Sequence, residues 1–408
     1  MKLTEELKWR GFENQTTYKD INALNSGSIT FYWGVDPSGP GMTVGHLAMA
    51  MMIKHFINAG HKPILLVGGA TGLIGDPDGK AQERDLKSEA EINKNVSIIT
   101  HQYEKVFEGE KLVVVNNYDW FKNIGYLDFL RDVGKHVPMR QMLGREFVQS
   151  RLSENGSGIS YAEFSYSLIQ GYDFLHLYRD FGATLQVCGS DQWGNSIAGV
   201  DLIRRKDGIE ANIYSAPLII NKSTGVKFGK TEAGAVWLDP KLTSPFDFYQ
   251  FWFNTDDESV KDYLKIYTLL DKKEYDELIS KFEANQSSRI AQKTLAFEAT
   301  KIVHGVKIAE EVLKATQILF SKEKYNDLPE ASKKTLSNTL LVIDAKPDFL
   351  ENIVLSGMAS SNTEALSCVK SGAIKINGIS VNDPKHNLEN GHYLLQKGKN
   401  LFAIVVKK

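Results

Sequence analysis

Between Ser28 and Ile220, short apolar runs of strand length alternate with longer stretches whose apolar residues recur every three or four positions. The runs Ile29–Trp33, Ile64–Val67, Leu112–Val115, Thr184–Val187 and Leu218–Ile220 read as strands, and Val44–Ala59 and Phe164–Arg179 as helices between them. Such alternation predicts an α/β domain with a parallel sheet wrapped by helices through right-handed crossovers. Ligands of such a sheet sit beyond the carboxyl ends of its strands. After Trp237 the period becomes helical: Phe248, Phe251 and Trp252, then Val260, Tyr263, Leu264 and Tyr267, then Ile290, Leu295 and Phe297, and later Ala309, Val312 and Leu313. That pattern predicts an all-helical domain over 236–325. Residues 321–334 are polar and charged and include Pro329, which predicts a linker. A small α/β segment over 340–408 follows. In it Thr363–Gly372 reads as a short helix ended by glycine, and Ala373–Ile376 as a strand running into an Asn377-Gly378 turn. The expected domains are therefore 1–235, 236–325 and 340–408.

Composition narrows the class. The chain has 408 residues, enough for two or three domains, and its 42% hydrophobic and 24% charged residues are those of an ordinary soluble globular protein. The longest apolar runs are far short of a membrane span, and the first residues, Met1 to Lys8, are charged, so neither a membrane segment nor a signal region is expected. Cys188 and Cys368 lack ligand-like spacing, which fits a reduced, cytoplasmic setting without structural zinc. A net charge of -2 argues against a uniformly basic coat for nucleic acid while leaving local basic patches open.

Five segments carry candidate chemistry. Gly34-Val-Asp-Pro-Ser38 leads through Pro40, Gly41 and Thr43 into Val44-Gly45-His46-Leu47, so a Pro/Gly-rich turn enters a helix whose first turn holds an imidazole. Free N–H donors and the positive end of the helix dipole coincide there and favour phosphate. Gly68-Gly-Ala-Thr-Gly-Leu-Ile-Gly-Asp76 follows the second strand and offers close backbone approach, one carboxylate, and the cations Lys80 and Arg84 downstream. It matches neither a Walker loop nor the dinucleotide fingerprint. Lys227-Phe-Gly-Lys230-Thr231 is a cationic loop able to stabilise charge growing on a polyphosphate. Gly189-Ser-Asp191-Gln192 ends the fourth strand with groups suited to ribose hydroxyls. Tyr166, Gln170 and Asp173 share one helix face, an unusual set to bury without a polar ligand. Each segment alone is also compatible with an ordinary turn or a solvated surface.

In this order and spacing the five segments resemble the bacterial tyrosyl-tRNA synthetase family, a class I aminoacyl-tRNA synthetase family, over nearly the whole chain. The resemblance implies a Rossmann-like catalytic domain with a dimerisation insertion around 119–160, a helical anticodon-side domain and a C-terminal S4-like RNA-binding domain. It implies activation of L-tyrosine by ATP to an adenylate, then transfer to tRNA. Tyr32 and Asp173 are then expected on the tyrosine phenol, Asp76, Tyr166 and Gln170 on its amino group with Gln186 nearby, and Gln192 beside its carboxylate. Gly34, Asp36, Gly45, Gly189 and Asp191 are expected around the adenosine. Ser38, Thr43 and His46 are expected to face the phosphates, and Lys80, Arg84, Lys227, Lys230 and Thr231 to gather at the departing pyrophosphate. Mg²⁺ is expected to arrive with ATP and no metal to be held by the protein alone. A homodimer is implied, with Arg140, Arg145 and Arg151 guiding the acceptor arm, and Lys370, Lys375, Lys385, Lys397, Lys399, Lys407 and Lys408 contacting RNA.

The chain departs from the family pattern at Thr43, where histidine is usual, at Ser38, where threonine is usual, and at Leu366 and Ser367, where arginines are common. The expectation at Thr43 is contact with a phosphate oxygen, directly or through water. Two other readings stand beside the first: a tryptophanyl-type class I enzyme, and a catalytically weakened tRNA-binding relative.

Overall fold

The computed structural model describes residues 1–77, 86–220, 228, 230–231, 234–321, 325–398 and 401–408, with only the backbone of Glu146, Phe147, Lys230 and Thr231. Lys80, Arg84, Lys227 and Lys399 lie outside the described residues. Two compact units divide the chain: Met1–Thr243 with Asp256–Ala291, and Ser244–Thr255 with Gln292–Lys408.

The first unit is built on five parallel strands, β1 (Thr30–Val35), β2 (Lys62–Val67), β3 (Val113–Asn116), β4 (Leu185–Gly189) and β5 (Asn212–Ala216), in the order β3-β2-β1-β4-β5. Four strands fall where the apolar runs predict them. The fifth does not: Leu218–Ile220 is no strand, because Pro217 lacks the N–H that would extend β5 past Ala216. Leu218 and Ile220 are exposed. Ile213, Tyr214, Ser215 and Ala216 are buried in β5, and its outer edge is covered by Gln15 and Thr16.

The helix Val44–Asn58 follows β1, and Tyr161–Phe181 precedes β4. Two further helices, Glu89–Val106 and Trp193–Asp207, complete the cover. Trp193–Asp207 lies close along Tyr161–Phe181, and Gly199 permits it, since a Cβ there would sit 2.9 Å from the Cβ of Phe174. Residues 256–291, expected in the helical domain, belong to this first unit. Arg10, buried at the end of the helix Leu3–Arg10, donates to the carbonyls of Lys265 (2.8 Å), Thr268 (3.0 Å) and Leu270 (2.8 Å) and also to Glu6.

The second unit contains the helices Pro245–Phe253, Val306–Leu319 and Glu330–Thr339 and a five-stranded sheet. The expected linker ends early, because Pro329 at φ -57° starts the helix Glu330–Thr339. In the sheet, Gly391–Lys397 and Leu401–Lys407 pair antiparallel, and Leu341–Asp344 adds a parallel edge. Asn377 (φ 51°) and Gly378 (φ 85°) form the expected tight turn. Phe349, Ile353, Ala365, Val369, Leu395 and Val405 share its core with the helices Phe349–Leu355 and Asn362–Lys370. Among the described residues no helix is long and apolar enough to cross a membrane.

Candidate active site

The succession of strands reverses direction between β1 and β4, the place where a parallel sheet leaves a crevice at its carboxyl edge. Tyr32 on β1 stands in register with Gln186 on β4. Asp173, from the helix Tyr161–Phe181, is 1% exposed beside them. Its carboxylate accepts from Trp120 Nε1 at 2.9 Å and Asn117 Nδ2 at 3.0 Å. Burial pushes its pKa up to about 8, and the two donors offset only part of that. The Tyr32 phenol is raised well above its usual value, first by burial and then by the charge of Asp173.

Among the described residues, the Tyr32 hydroxyl, Gln170 Oε1 and Gln186 Oε1 are buried without a hydrogen-bond partner. Each such atom costs about 1–3 kcal/mol, so three together mark a place built to receive polar groups.

A second chain of bonds supports this pocket. The Tyr166 hydroxyl donates to Asp36 at 2.6 Å, Thr71 donates to the other oxygen of Asp36 at 2.6 Å, and Asn117 donates to Thr71 at 3.1 Å. Tyr166, Asp36, Thr71, Asn117 and Asp173 thus form one buried network. Asp36 spends both oxygens on it, a supporting role that the sequence pattern did not suggest. Gly68 makes the network possible, because a Cβ there would lie 2.0 Å from Asp36 Oδ1 and 2.2 Å from Thr71 Oγ1. Nearer the mouth, Gln192 donates to Asp76 at 2.6 Å and Asn195 donates to Gln192 at 3.2 Å.

Thr43 caps the helix Val44–Asn58 and gives its backbone N–H to His46 Nδ1 at 3.0 Å. The strip that follows the lysine loop is laced to this turn: Val44 N–H donates to the Val236 carbonyl (3.1 Å) and Leu238 N–H to that of Met42 (2.8 Å). The Trp237 ring covers Gly39. Lys230 and Thr231 pair antiparallel with Ala235 and Gly234. The Phe228 ring packs against Tyr263 and Tyr267, with centroids 4.4 and 5.7 Å apart. Ser38 is exposed on the turn and Gly34 near the end of β1, Gly45 sits in the first turn of the helix, and Gly189 and the exposed Asp191 close β4.

Two expectations in the insertion change. Arg151 is buried in an ion pair with Glu163 (2.7 Å), so it does not face solvent. Arg145 donates to Asn195 at 2.6 Å and to the Gly194 carbonyl, and so braces the turn that holds Gln192. Thr71, Asn117 and Trp120 are the site residues that sequence reasoning missed. The polar pair Asn116-Asn117, at the carboxyl end of a predicted strand, was the available signal. Among the described residues no three His, Cys, Asp or Glu side chains gather as a metal site needs.

A model of the tRNA synthetases of class I (W and Y) matches residues 24–321, a span that holds every site residue named above. The tyrosine–tRNA ligase of Listeria monocytogenes serotype 4a is 43% identical over 423 residues, covering 100% of both chains. The chain belongs to the tyrosyl-tRNA synthetase family. The tyrosine–tRNA ligase of Limosilactobacillus reuteri is 42% identical over 98% of each chain. Among solved structures, a C-terminally truncated mitochondrial tyrosyl-tRNA synthetase from Aspergillus nidulans is 30% identical with a TM-score of 0.70, covering 78% of this chain and 94% of its own. The network from Tyr166 to Asp173 is therefore a feature of a chain in the tyrosyl-tRNA synthetase family.

Proposed function

We propose that this chain activates L-tyrosine with ATP to tyrosyl-adenylate and pyrophosphate, and then transfers the tyrosyl group to the 3′ end of tRNA(Tyr). One observation carries the reading: a buried carboxyl, Asp173, beside the unpartnered Tyr32 hydroxyl at the β1/β4 crevice. A substrate phenol satisfies both groups. An aromatic amino acid lacking the hydroxyl leaves the Tyr32 hydroxyl orphaned. Sites of this kind discriminate steeply, and tyrosyl enzymes rejecting phenylalanine by about 10⁵-fold are the standard illustration.

In the proposed reaction the tyrosine carboxylate attacks the α-phosphorus of ATP in line, and pyrophosphate leaves. No protein nucleophile takes part, so the protein positions the reactants and stabilises charge. Gln170 and Asp76 hold the substrate amino group, with Tyr166 fixed behind them by Asp36. Gln192, braced by Asn195, lies at the carboxylate. The start of the helix Val44–Asn58 takes phosphate through the positive end of the helix dipole and His46. Lys80, Arg84, Lys227 and Lys230 are assigned to the leaving pyrophosphate. Magnesium arrives with the triphosphate and supplies charge neutralisation there.

The exposed apolar side chains Tyr126, Leu127, Met139, Leu152 and Tyr161 in and beside the insertion support a homodimer contact. Exposed Lys370, Lys375 and Lys385 are assigned to RNA, whereas Lys397 bonds to the Met358 carbonyl and Glu364, and Lys407 to Asn387 and the Leu388 carbonyl. The domains are assigned as catalytic, anticodon-side and S4-like, in a cytoplasmic protein.

Amino-acid-dependent exchange of labelled pyrophosphate into ATP tests the reading. Exchange with tyrosine, and at least a thousandfold less with tryptophan or phenylalanine, is the expected result. Exchange with tryptophan alone would support the tryptophanyl-type reading, and tRNA binding without exchange the non-catalytic one.

A further inference from the structure

The helix Glu89–Val106 carries none of the side chains assigned to substrate above, yet its buried face is partly polar. Ile92, Asn95, Ile99, Gln102, Tyr103 and Val106 line that face. Asn95 is 4% exposed and Gln102 7%. Both side chains reach the backbone of one turn. Asn95 Nδ2 donates to the Pro37 carbonyl at 3.0 Å, and the Met42 N–H donates to Gln102 Oε1 at 2.7 Å. A carbonyl only accepts and a backbone N–H only donates, so the two side chains must present opposite groups. A Cβ on Gly41 would lie 2.9 Å from Gln102 Nε2, so this side chain packs directly on the turn. The helix is itself tied to the sheet, because the Tyr103 hydroxyl donates to the Leu66 carbonyl of β2 at 3.2 Å.

The turn joins the two halves of the site. Pro37 follows Asp36, whose oxygens accept from Tyr166 and Thr71. Met42 precedes Thr43, the cap of the helix Val44–Asn58, and its carbonyl accepts from Leu238 at 2.8 Å. Asn95 and Gln102 stand two turns apart on their helix, about 10 Å at a rise of about 1.5 Å per residue. One helix therefore grips both ends of the segment between the tyrosine-side network and the helix start assigned to phosphate.

We propose that Asn95 and Gln102 are positioning residues: they fix the turn Pro37–Met42, and with it the placement of the nucleotide relative to bound tyrosine. The inference rests on the proposed tyrosine activation and gives neither residue a contact with substrate. In-line attack needs the carboxylate and the α-phosphorus aligned. A turn free to shift loses that alignment while the tyrosine pocket stays whole.

The test pairs kinetics with hydrogen exchange on the full-length protein. Gln102→Met removes the acceptor at nearly constant length, whereas Gln102→Glu keeps an oxygen for the Met42 N–H. Gln102→Met should lower kcat/KM for ATP in tyrosine-dependent pyrophosphate exchange by roughly tenfold, with Kd for tyrosine, from calorimetric titration, within about twofold of wild type. Deuterium uptake followed by mass spectrometry should quicken by about tenfold over residues 39–46 and stay unchanged in β2. Gln102→Glu should bring both readouts most of the way back. Asn95→Leu strips the donor from Pro37 and should show the same kinetic split, which keeps the test open if Gln102→Met does not fold. Equal losses of tyrosine affinity and of kcat/KM, unchanged uptake over 39–46, or Gln102→Glu no better than Gln102→Met would overturn the proposal. A wild type without exchange activity would count against the proposed function instead, and deuterium uptake would still decide whether the two side chains hold the turn.

Discussion

The indole N–H of Trp120 lies 2.9 Å from Asp173 Oδ1, and Asn117 takes the other oxygen at 3.0 Å. The carboxylate is thereby oriented from behind, with its remaining lone pairs directed away from both donors. Trp120→Phe removes one donor and keeps most of the ring. We expect KM for tyrosine to rise by about tenfold with KM for ATP unchanged, because removing one partner of a buried hydrogen bond costs about 1–3 kcal/mol. Steady-state pyrophosphate exchange over a range of each substrate checks this.

Asp173 also sets a pH dependence. Its folded pKa is raised to about 8, against about 3.9 for an unfolded aspartate. Between those values the folded protein keeps a proton that the unfolded chain has released. Stability therefore falls as pH rises and levels off once the folded carboxyl ionises. The ligand-free protein should lose thermal stability from about pH 6 to about pH 8, and Asp173→Asn should flatten that slope. Melting temperatures at matched ionic strength measure both; equal slopes in the two proteins would assign the effect to other groups.

Gly68 is the tightest point of the site. Gly68→Ala forces a methyl group onto Asp36 and Thr71. We expect a destabilisation of about 1–3 kcal/mol. Tyrosine binding should fall further than stability predicts, because the displaced network is the one behind the pocket. Calorimetric titration with tyrosine, beside urea unfolding, separates the two effects.

Arg10 joins the first helix to residues 265–270. Replacing it with methionine leaves three carbonyl groups and Glu6 without their donor, at a cost of about 3–5 kcal/mol. Arg10→Lys should recover only part, since an ammonium cannot reproduce the planar fork. Denaturant midpoints report the order wild type, lysine, methionine.

Leu127, at 77% exposure, tests the homodimer. Leu127→Asp should shift sedimentation from dimer toward monomer. A wild type that sediments as a monomer at micromolar concentration would refute the assignment.

Much of this was legible in the chain. The helix face Tyr166, Gln170 and Asp173 was readable because a period of 3.6 fixes which side chains meet. Tyr32 and Gln186 were placed by strands whose apolar runs are plain. What stayed hidden came from contacts made only in three dimensions. Nothing local shows that Arg151 turns inward to Glu163 or that Asp36 is spent on Tyr166 and Thr71. The strand Asn212–Ala216 was missed because its contiguous apolar run is only Ile213 and Tyr214, while the more apolar Leu218–Ile220 lies beyond a proline that ends the ladder. The segment 256–291 looked like its helical neighbours, and contacts such as those from Arg10 and Phe228 show which unit holds it.

The lacing of Met42–Val44 to Val236–Leu238 joins stretches about two hundred residues apart. During synthesis the first turn therefore emerges long before its partner exists. A nascent chain stopped short of Leu238 can form β1 and the helix after it, yet lacks the strip to which Met42–Val44 is laced. Competence to handle nucleotide should thus switch on late and abruptly along the chain, as a property of the finished first unit.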